Sequence, residues 1–461
     1  MRAWPPLLAL VGLALAGCAL KSPPSRDEAV QQALPNFKVP ENYVESREAG
    51  AIQHGWLAAF NDAQLDALVR EALAHNPDLQ VAAARVEQAA SYVKVAGATL
   101  YPQVTALARG GGALSGDSSG LQGAGVFANW ELDLWGRVRA GRASASGQYD
   151  STALDTEYAR QSLAALVAKS WFLATEARLQ KANAEEMAAA SERQLGLAND
   201  RLRVGRGDQY DVALARANLA TFRDSVQSLD LAYRQSLRAL EALAGRYPAA
   251  ALSVPAQLAV LPGPVPVGMP SELLERRPDV VAAERRIATA FYRVEEAKAA
   301  RLPRISLTAA VTSISSDLFV LKDRDNPVWS AGASLTAPLF LGGQLQAQVE
   351  IRTAEQKQAL AEYARVGSRA FGEVENALSS AFSLDAREAI LRESVVDNAR
   401  ALELANVRFR VGSGDLRAVA QQSLALHAAR TALLRVQAER LVQRVNLHLA
   451  LGGSFEGTVQ K

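Results

Sequence analysis

The stretch Arg203-Val204-Gly205-Arg206-Gly207-Asp208 returns 207 residues later as Arg410-Val411-Gly412-Ser413-Gly414-Asp415. A second repeated segment precedes each copy: Asn76-Pro77-Asp78 matches Arg277-Pro278-Asp279 at an offset of 201 residues. Repeats of about 200 residues are far longer than the units of solenoid proteins, so each half of the chain is predicted to be a large module, duplicated and fused. The difference between the offsets predicts six extra residues between positions 303 and 343.

Each module is predicted to contain one very long helix that ends at the repeated glycine motif. Proline is absent from residues 103–247 and 339–461, and proline inside a helix costs about 3 kcal/mol. The tracts Arg137–Arg203 and Gly343–Arg410 are therefore predicted helices of 67 and 68 residues, each roughly 100 Å long at about 1.5 Å per residue.

Shorter helices are predicted on both sides of each long one. They span residues 66–100 and 208–245 in the first module and 271–301 and 415–452 in the second. Their summed lengths match those of the long helices, so two short helices stacked end to end are predicted to run antiparallel to one long helix. On the first long helix, the three-and-four spacing of a coiled-coil seam is found at Leu163, Leu166, Ser170, Leu173 and Ala177.

Four segments are predicted strands because apolar and polar residues alternate with a period of two. The alternation is clear in residues 126–134, 305–312 and 329–339, and weak in 104–109. After residue 17 no uncharged apolar run approaches the roughly 20 residues of a spanning helix, so any membrane crossing is predicted to use strands. Four strands cannot close a barrel, whose smallest members have about eight, and lipid does not tolerate open edges. Two copies of the chain would supply eight strands and three copies twelve.

The N-terminus has the features of a bacterial lipoprotein signal. Arg2 precedes an apolar run, and Leu15-Ala16-Gly17-Cys18 has the form of a lipobox. Cys18 is the only cysteine, so it is the predicted lipidation site and cannot form an internal disulfide. Ala19 after it favours sorting to the outer membrane. The alternative is an ordinary signal peptide that contains a chance cysteine.

These boundaries predict the organisation of the whole chain. Residues 1–17 form a signal peptide and 18–64 a lipidated, extended arm. The first repeat occupies 65–247 and the second 271–453, followed by a tail at 454–461. Between the repeats, residues 248–270 hold six of the 18 prolines and form the predicted linker.

Composition and motifs give little support to an enzyme or a nucleic-acid-binding protein. The chain has 50 basic and 48 acidic residues, so its net charge is close to zero. This charge balance gives no reason to expect nucleic acid as a partner. Residues 116–120 match G-x-S-x-G but lack the strand–turn–helix context of a nucleophile. The four histidines show no metal-ligand spacing. No catalytic residue, metal site or cofactor is predicted.

Charged residues follow both glycine motifs closely, and four of them are the predicted gate: Asp208, Asp211, Asp415 and Arg417. In an oligomeric helical tube such side chains would form rings around the axis and could close its narrow end by ion pairs and hydrogen bonds. Solvated charges at helix ends are the alternative interpretation.

Together these features resemble the TolC family of outer-membrane factors, and within it the lipoprotein group that includes OprM and NodT. The likeness is carried by three segments, Trp56-Leu57-Ala58-Ala59-Phe60-Asn61-Asp62, Trp130-Glu131-Leu132-Asp133-Leu134-Trp135-Gly136-Arg137 and Leu274-Glu275-Arg276-Arg277-Pro278-Asp279-Val280. The resemblance implies a mixed α/β chain, mainly α, that forms a trimer. In the trimer, a 12-stranded transmembrane β-barrel would continue into a long periplasmic α-helical barrel.

The resemblance also implies a function and partners. The chain would be the passive exit duct of a tripartite efflux system, together with a periplasmic adaptor and an inner-membrane pump, the resistance-nodulation-division type being favoured. The alternative is a structural envelope lipoprotein with a coiled-coil stalk and no transport role.

The family's tip motifs map onto individual residues here. The tips that meet the adaptor are implied to be Val204, Gly205, Val411 and Gly412, and Asp211-Val212 matches a pair that faces the pore. After the second tip, Gln421 and Leu424 stand where many relatives have an acid and an arginine. The usual closing ion pair is therefore not expected at these two positions, which leaves Asp211, Asp415 and Arg417 as the local candidates.

Overall fold

The computed structural model describes residues 20–44, 50–52, 54–109, 122–315 and 328–457. The helices in these ranges are α1 (Arg26–Ala33), α2 (Ala63–His75), α3 (Pro77–Ala98), α4 (Arg137–Arg203), α5 (Gln209–Leu243), α6 (Leu273–Arg276), α7 (Pro278–Ala299), α8 (Gln344–Arg410) and α9 (Leu416–Ala450). The strands are β1 (Gln103–Arg109), β2 (Gln122–Leu132), β3 (Arg304–Ser315) and β4 (Val328–Thr336). Cys18 and the G-x-S-x-G motif at 116–120 lie outside the described residues.

The chain forms two compact units, and each draws on both repeats. The first unit takes its described residues from Met1–Phe37, Ala83–Asp155 and Asp279–Gly367, and it contains the sheet. The second takes them from Lys38–Ala82, Thr156–Pro278 and Ser368–Lys461. Among the described residues, no helix combines the length and the apolar character needed to cross a membrane.

The sheet has the order β1-β2-β3-β4, and all its neighbouring strands are antiparallel. Its central pair joins the two repeats, with Leu132 opposite Ile305. At the base of the first hairpin Gln103 faces Asn129, 26 residues on, whereas Arg304 faces Thr336, 32 residues on, in the second. The six extra residues therefore lie within the second hairpin, as the repeat offsets predict.

Two strands end earlier than the alternation predicts. Strand β2 ends at Leu132 rather than Leu134, and β4 ends at Thr336 rather than Leu339. Pro338 explains the second difference, because proline has no N–H to donate to a strand ladder. All nine residues of β4 are exposed in the single chain.

The two long helices are confirmed, α4 and α8 having 67 residues each. The predicted helices at 66–100 and 271–301 are wrong as single elements, because each is interrupted before a proline. Pro77 begins α3, and Pro278 begins α7. Proline suits the first position of a helix, where its missing N–H has no intrahelical partner, but it cannot continue a preceding helix.

The residues before these prolines occupy equivalent positions in the two repeats. Asn76 Nδ2 donates to the carbonyl of Leu243 at 3.0 Å, and Asn76 Oδ1 accepts the N–H of Leu79. The counterpart of Asn76, Arg277, donates to the carbonyl of Ala450 at 3.2 Å and pairs with Glu373 at 2.6 Å. Each side chain thus ties a helix start to the C-terminal end of another helix, and Arg277 does so while fully buried.

The Trp130–Arg137 motif holds the junction between β2 and α4. Trp130 donates to the carbonyl of Leu100 at 3.0 Å, and Glu131 forms a two-pronged ion pair with Arg137. Asp133 accepts the backbone N–H groups of Val138 and Arg139, both at 2.9 Å. A carboxylate at a helix start satisfies donors that have no intrahelical partner, so the motif sets where the strand stops and the helix begins.

The main core of the second unit is built around the Trp56–Asp62 motif. Trp56 stacks on His448 with ring centroids 5.8 Å apart, and Phe60 packs on Phe172 at 5.0 Å. Asp62 caps α2 and also accepts the indole N–H of Trp171 at 2.8 Å. Burial lowers the pKa of His448 to about 4, so this core holds a neutral imidazole at ordinary pH.

The predicted coiled-coil seam is only partly correct, because Leu166 and Leu173 are exposed in the single chain although Leu163 is buried. Helix α4 instead buries Trp171 and Phe172. Aromatic side chains remove more apolar area from water than leucines do, so they decide which face of α4 turns inward.

One buried carboxylate forms hydrogen bonds with the start of the linker that follows α5. Glu241 accepts the backbone N–H groups of Ala250, Ala251 and Leu252 at 2.6, 2.6 and 3.0 Å. Burial alone would raise the pKa of Glu241, but these N–H donors outweigh it and lower the pKa. The ionised carboxylate therefore organises the start of the proline-rich segment.

Replacing Arg277 by methionine is expected to destabilise the second unit by about 2 kcal/mol, because Glu373 and the Ala450 carbonyl lose a buried donor. Arg276→Met is the control, since Arg276 is partly exposed and pairs with Glu272 on its own helical turn. Differential scanning fluorimetry in detergent should show a clearly lower melting temperature for the first variant only. Equal melting temperatures for both variants would contradict the assigned role.

Candidate functional site at the paired helix tips

The two glycine motifs form the same helix-ending structure. Gly205 and Gly412 have φ of 75° and 81°. In the first tip, Arg206 donates its N–H to the carbonyl of Arg201 at 2.8 Å, and Gly205 donates to Leu202 at 3.0 Å. The second tip repeats both bonds, with Ser413 and Gly412 as donors. This is the Schellman motif, in which a left-handed residue ends a helix and satisfies its last carbonyls.

Each tip contains a second glycine that is required for a different reason. A Cβ on Gly207 would lie 3.1 Å from Arg201 Cβ, and one on Gly414 would lie 3.0 Å from Arg408 Cβ. A Cβ on Gly205 or Gly412 would meet nothing within 4 Å. The first glycine of each tip is therefore required by backbone conformation, and the second by close packing against the helix end.

Asp208 and Asp415 are the N-caps of α5 and α9. Asp208 accepts the N–H of Asp211 at 2.8 Å, and Asp415 accepts the N–H of Ala418 at 2.8 Å. A cap of this kind stabilises a helix start by about 1 kcal/mol. Two of the four predicted gate residues thus have a structural role within the chain as well.

The two tips are joined to each other in the second unit. Beneath them lies a small apolar cluster that includes Val212, Phe409 and Leu416. Arg201 extends from the end of α4 to that of α8, where its guanidinium lies 4.4 Å from the ring centre of Phe409 and donates to the Phe409 carbonyl at 3.1 Å. Because Val212 is buried, only Asp211 of the Asp211-Val212 pair is available at the surface.

Asp211 lies in an acidic environment. Partial burial raises its pKa, the charges of Asp208 and Asp415 raise it further, and Arg201 opposes them. The three predicted acidic gate residues are therefore close enough to interact within one chain. Their mutual repulsion disfavours the ionised form of Asp211.

Arg417 pairs with an aromatic residue of the other repeat. Its Nη2 donates to the hydroxyl of Tyr210 at 2.8 Å, and the guanidinium carbon lies 5.5 Å from the Tyr210 ring centre. The hydrogen bond to Tyr210 raises the pKa of Arg417. Tyr210 and Arg417 are 207 residues apart, so this contact links the first turn of α5 to that of α9.

The sequence predicts the exposed residues of this site but not the side-chain contacts that connect the two tips. Val204 and Val411, which the resemblance implies as docking residues, are exposed at the two turns. The pairing of Arg417 with Tyr210, and the bridge made by Arg201, were missed. Tyr210 follows the first tip closely enough to be noticed, but nothing in the sequence indicates that it meets Arg417.

A comparison with known protein families finds one family whose model matches both repeats of the chain. The family described as Outer membrane efflux protein matches residues 68–246 and 269–453. The two matches coincide with the two repeats and exclude most of the linker.

Individual relatives match almost end to end. The pyoverdine export outer membrane protein OpmQ of Pseudomonas aeruginosa is 31% identical over 424 residues, covering 88% of this chain and 88% of its own. The crystal structure of CusC has a TM-score of 0.81 at 27% identity, covering 91% of this chain and 99% of CusC. The structure of the CmeC outer membrane channel of Campylobacter jejuni, at 23% identity and a TM-score of 0.85, shares the fold over 95% of this chain and 94% of its own.

Asp211→Asn is expected to stabilise the tips at neutral pH, because it removes a carboxylate whose ionised form is disfavoured. The sign follows from the raised pKa: the folded protein gains stability as the pH falls through the raised folded pKa, which lies above 3.8. Protection factors of the α5 N-terminal amides, which are exchange rates corrected for the intrinsic pH dependence of exchange, should rise on acidification in the wild type and lose this rise in the variant. A wild-type pH dependence retained in Asp211→Asn would contradict the assignment.

Proposed function

This chain belongs to the outer membrane efflux protein family, and from that premise we propose that three copies form the exit duct of a tripartite efflux system. The chain is an outer-membrane efflux channel protein, as its relatives are. The trimer, a 12-stranded barrel and a periplasmic helical barrel are the finer parts of the proposal. Each copy would supply the four strands and two 67-residue helices of the fold.

The observation that carries this proposal is the open sheet. Among the residues that the structure describes, strands β1 and β4 have a strand partner on one side only. A sheet in lipid needs every backbone donor and acceptor paired, so its edges must meet those of other copies. Three copies would give twelve strands in a closed ring, as the family resemblance implies.

The cargo of the duct is proposed to be chosen by its partners. OpmQ is named for pyoverdine export and CusC for cation efflux, yet this chain is 31% identical to the first and 28% to the second, from Escherichia coli K12. A fold shared by such different tasks supports selection elsewhere, in an inner-membrane pump of the resistance-nodulation-division type. A periplasmic adaptor would join the pump to the duct. The comparisons give no support to a structural lipoprotein without a lumen.

The paired tips are proposed as the adaptor-docking surface. Val204, Gly205, Val411 and Gly412 present two similar turns with exposed apolar side chains. Open space around both glycines would allow another protein to approach the backbone closely.

Gly205→Trp and Gly412→Trp are expected to abolish most efflux while the oligomer still assembles. Each change strains a left-handed turn by about 1 kcal/mol or more and fills the docking space. Gly196→Trp is the control, because Gly196 also has open space but lies inside α4 with helical backbone. Cargo export from cells that express the matching pump and adaptor measures the effect. Wild-type export in both tip variants would place the docking surface elsewhere.

The resting gate is proposed to be held by Arg417 and Tyr210, with Asp208, Asp211 and Asp415 forming acidic rings behind them. The Arg417–Tyr210 contact would keep α5 and α9 together at the narrow end of the tube. The acidic side chains would favour cations near the axis. Asp211 has Asp208 and Asp415 as neighbours, and like charges cannot hold helices together, so Asp211 is proposed to act in cation selectivity and not in closure.

Arg417→Ala is expected to raise single-channel conductance several-fold in planar bilayers, because α5 and α9 lose their link. Tyr210→Phe should act in the same direction but more weakly, and the double variant should add little to Arg417→Ala. Arg206→Ala is the control, since it removes an exposed arginine from the first tip without removing either partner of the Arg417–Tyr210 contact. Asp211→Asn should weaken cation preference without opening the channel. Unchanged conductance in Arg417→Ala would refute the proposed gate.

Cys18 is proposed to carry the lipid anchor. Mass spectrometry of membrane-derived protein should find an acylated Cys18 at the mature N-terminus, and Cys18→Ser should lose the modification. Two or more acyl chains give stable anchoring, although a barrel would hold the variant in the membrane as well. A mature N-terminus at another residue, or an unmodified Cys18, would overturn this assignment.

A further inference from the structure

Two helices connected to the edge strands of the first unit, α3 and the first part of α8, are largely exposed among the residues that the structure describes. Helix α3 leads into the edge strand β1, and α8 follows the other edge strand, β4. On α3 only Ala89 is buried, whereas α7, its counterpart in the second repeat, buries several residues, among them Val280, Ile287 and Val294. The first turns of α8 are mostly exposed as well. The faces of α3 and α8 lie at opposite edges of the sheet order.

A helix contact inside the first unit shows how such faces can pack. Helix α7 lies against the first part of α4, where Arg286 forms an ion pair with Asp155. Here the two backbones approach closely, since a Cβ on Gly147 would lie 2.6 Å from Thr289 Oγ1. Farther along, a Cβ on Gly141 would lie 3.2 Å from Glu296 Oε1.

Applying the repeat offsets to the α7–α4 contact predicts an equivalent contact between α3 and α8. Positions on α7 map to α3 by subtracting 201, and positions on α4 map to α8 by adding 207. The Arg286–Asp155 pair becomes Arg85 and Glu362, so the complementary charges are retained. The Thr289–Gly147 contact becomes Gln88 and Ala354, both exposed in the single chain. Ala354 has the Cβ that Gly147 lacks, so α3 and α8 must lie slightly farther apart here than α7 and α4 do.

The strands support the same mapping. Leu132 faces Ile305 where β2 pairs with β3, and the same offsets convert these residues to Leu339 and Val104. Both are large apolar side chains with little cover in the single chain, being 94% and 66% exposed. Such exposure is expected for side chains that another protein surface or lipid covers.

We infer that α3 of one copy packs on the first part of α8 of the next copy, in the register that places Arg85 opposite Glu362 and Gln88 opposite Ala354. This inference rests on the proposed trimer and adds the residues that join its subunits. Glu362 already pairs with Arg365 at 2.5 Å in its own chain, so the carboxylate would bridge two guanidinium groups. The contact between copies would then repeat the contact within each copy around the ring.

Engineered cysteines test this register directly. A Gln88→Cys/Ala354→Cys variant should cross-link between copies under mild oxidation and run as covalent dimers and trimers on denaturing gels. The control, Gln88→Cys/Gln348→Cys, shifts one partner by six residues, about 9 Å along α8, which is too far for a disulfide. Arg85→Glu and Glu362→Arg should each lower the temperature at which the oligomer dissociates. Combining the two charge reversals should restore part of the loss.

The outcomes separate this inference from the proposed trimer. If an amine cross-linker captures trimers but the Gln88–Ala354 pair does not cross-link between copies, the register is wrong and the trimer stands. If the control pair links as well as the designed pair, the register is also wrong. If no cross-linker captures any oligomer, the proposed trimer fails, and the inference fails with it. Preferential labelling of Gln88→Cys by a lipid-soluble maleimide, without cross-linking, would assign this face to lipid and overturn the inference.

Discussion

The open edges of a four-stranded sheet are the constraint on which the rest of this structure depends. The backbone groups on the outer sides of β1 and β4 have no strand partner in the described part of the chain, and in a bilayer each unpaired group costs several kcal/mol. Only further strands can satisfy them there. In the proposed ring of copies, everything attached to the sheet would repeat together with it, including the long helices that follow β2 and β4.

The gene duplication explains why one chain can supply several positions of such a ring. The β2–β3 pairing and the packing of α7 on α4 are contacts between the two repeats, and the proposed contacts between copies would have the same form. The repeats have nevertheless diverged where asymmetry is useful. At one helix start the first repeat has Asn76 and the second has Arg277. At the tips, Tyr210 of the first repeat contacts Arg417 of the second. A ring of identical halves would have no such contact between unlike residues.

The sequence predicts the elements of this fold well, because helix ends and strand periods are local properties. Both long helices, the glycine tips and the six-residue insertion follow from repeats and prolines alone. The helix breaks at Asn76 and Arg277 were missed because the apolar pattern continues through them. The inward face of α4 was misjudged because it depends on Trp171 and Phe172 meeting other segments. The Arg417–Tyr210 pair depends on a spacing of 207 residues and cannot be read locally.

Native mass spectrometry of the protein released from detergent micelles tests the central claim most directly, because it counts the chains that complete the sheet. The account predicts one dominant species that contains three chains, and a loss of β-structure when that species is dissociated. A dominant monomer with a stable sheet would contradict the account, since the edges of β1 and β4 would then need no other copy.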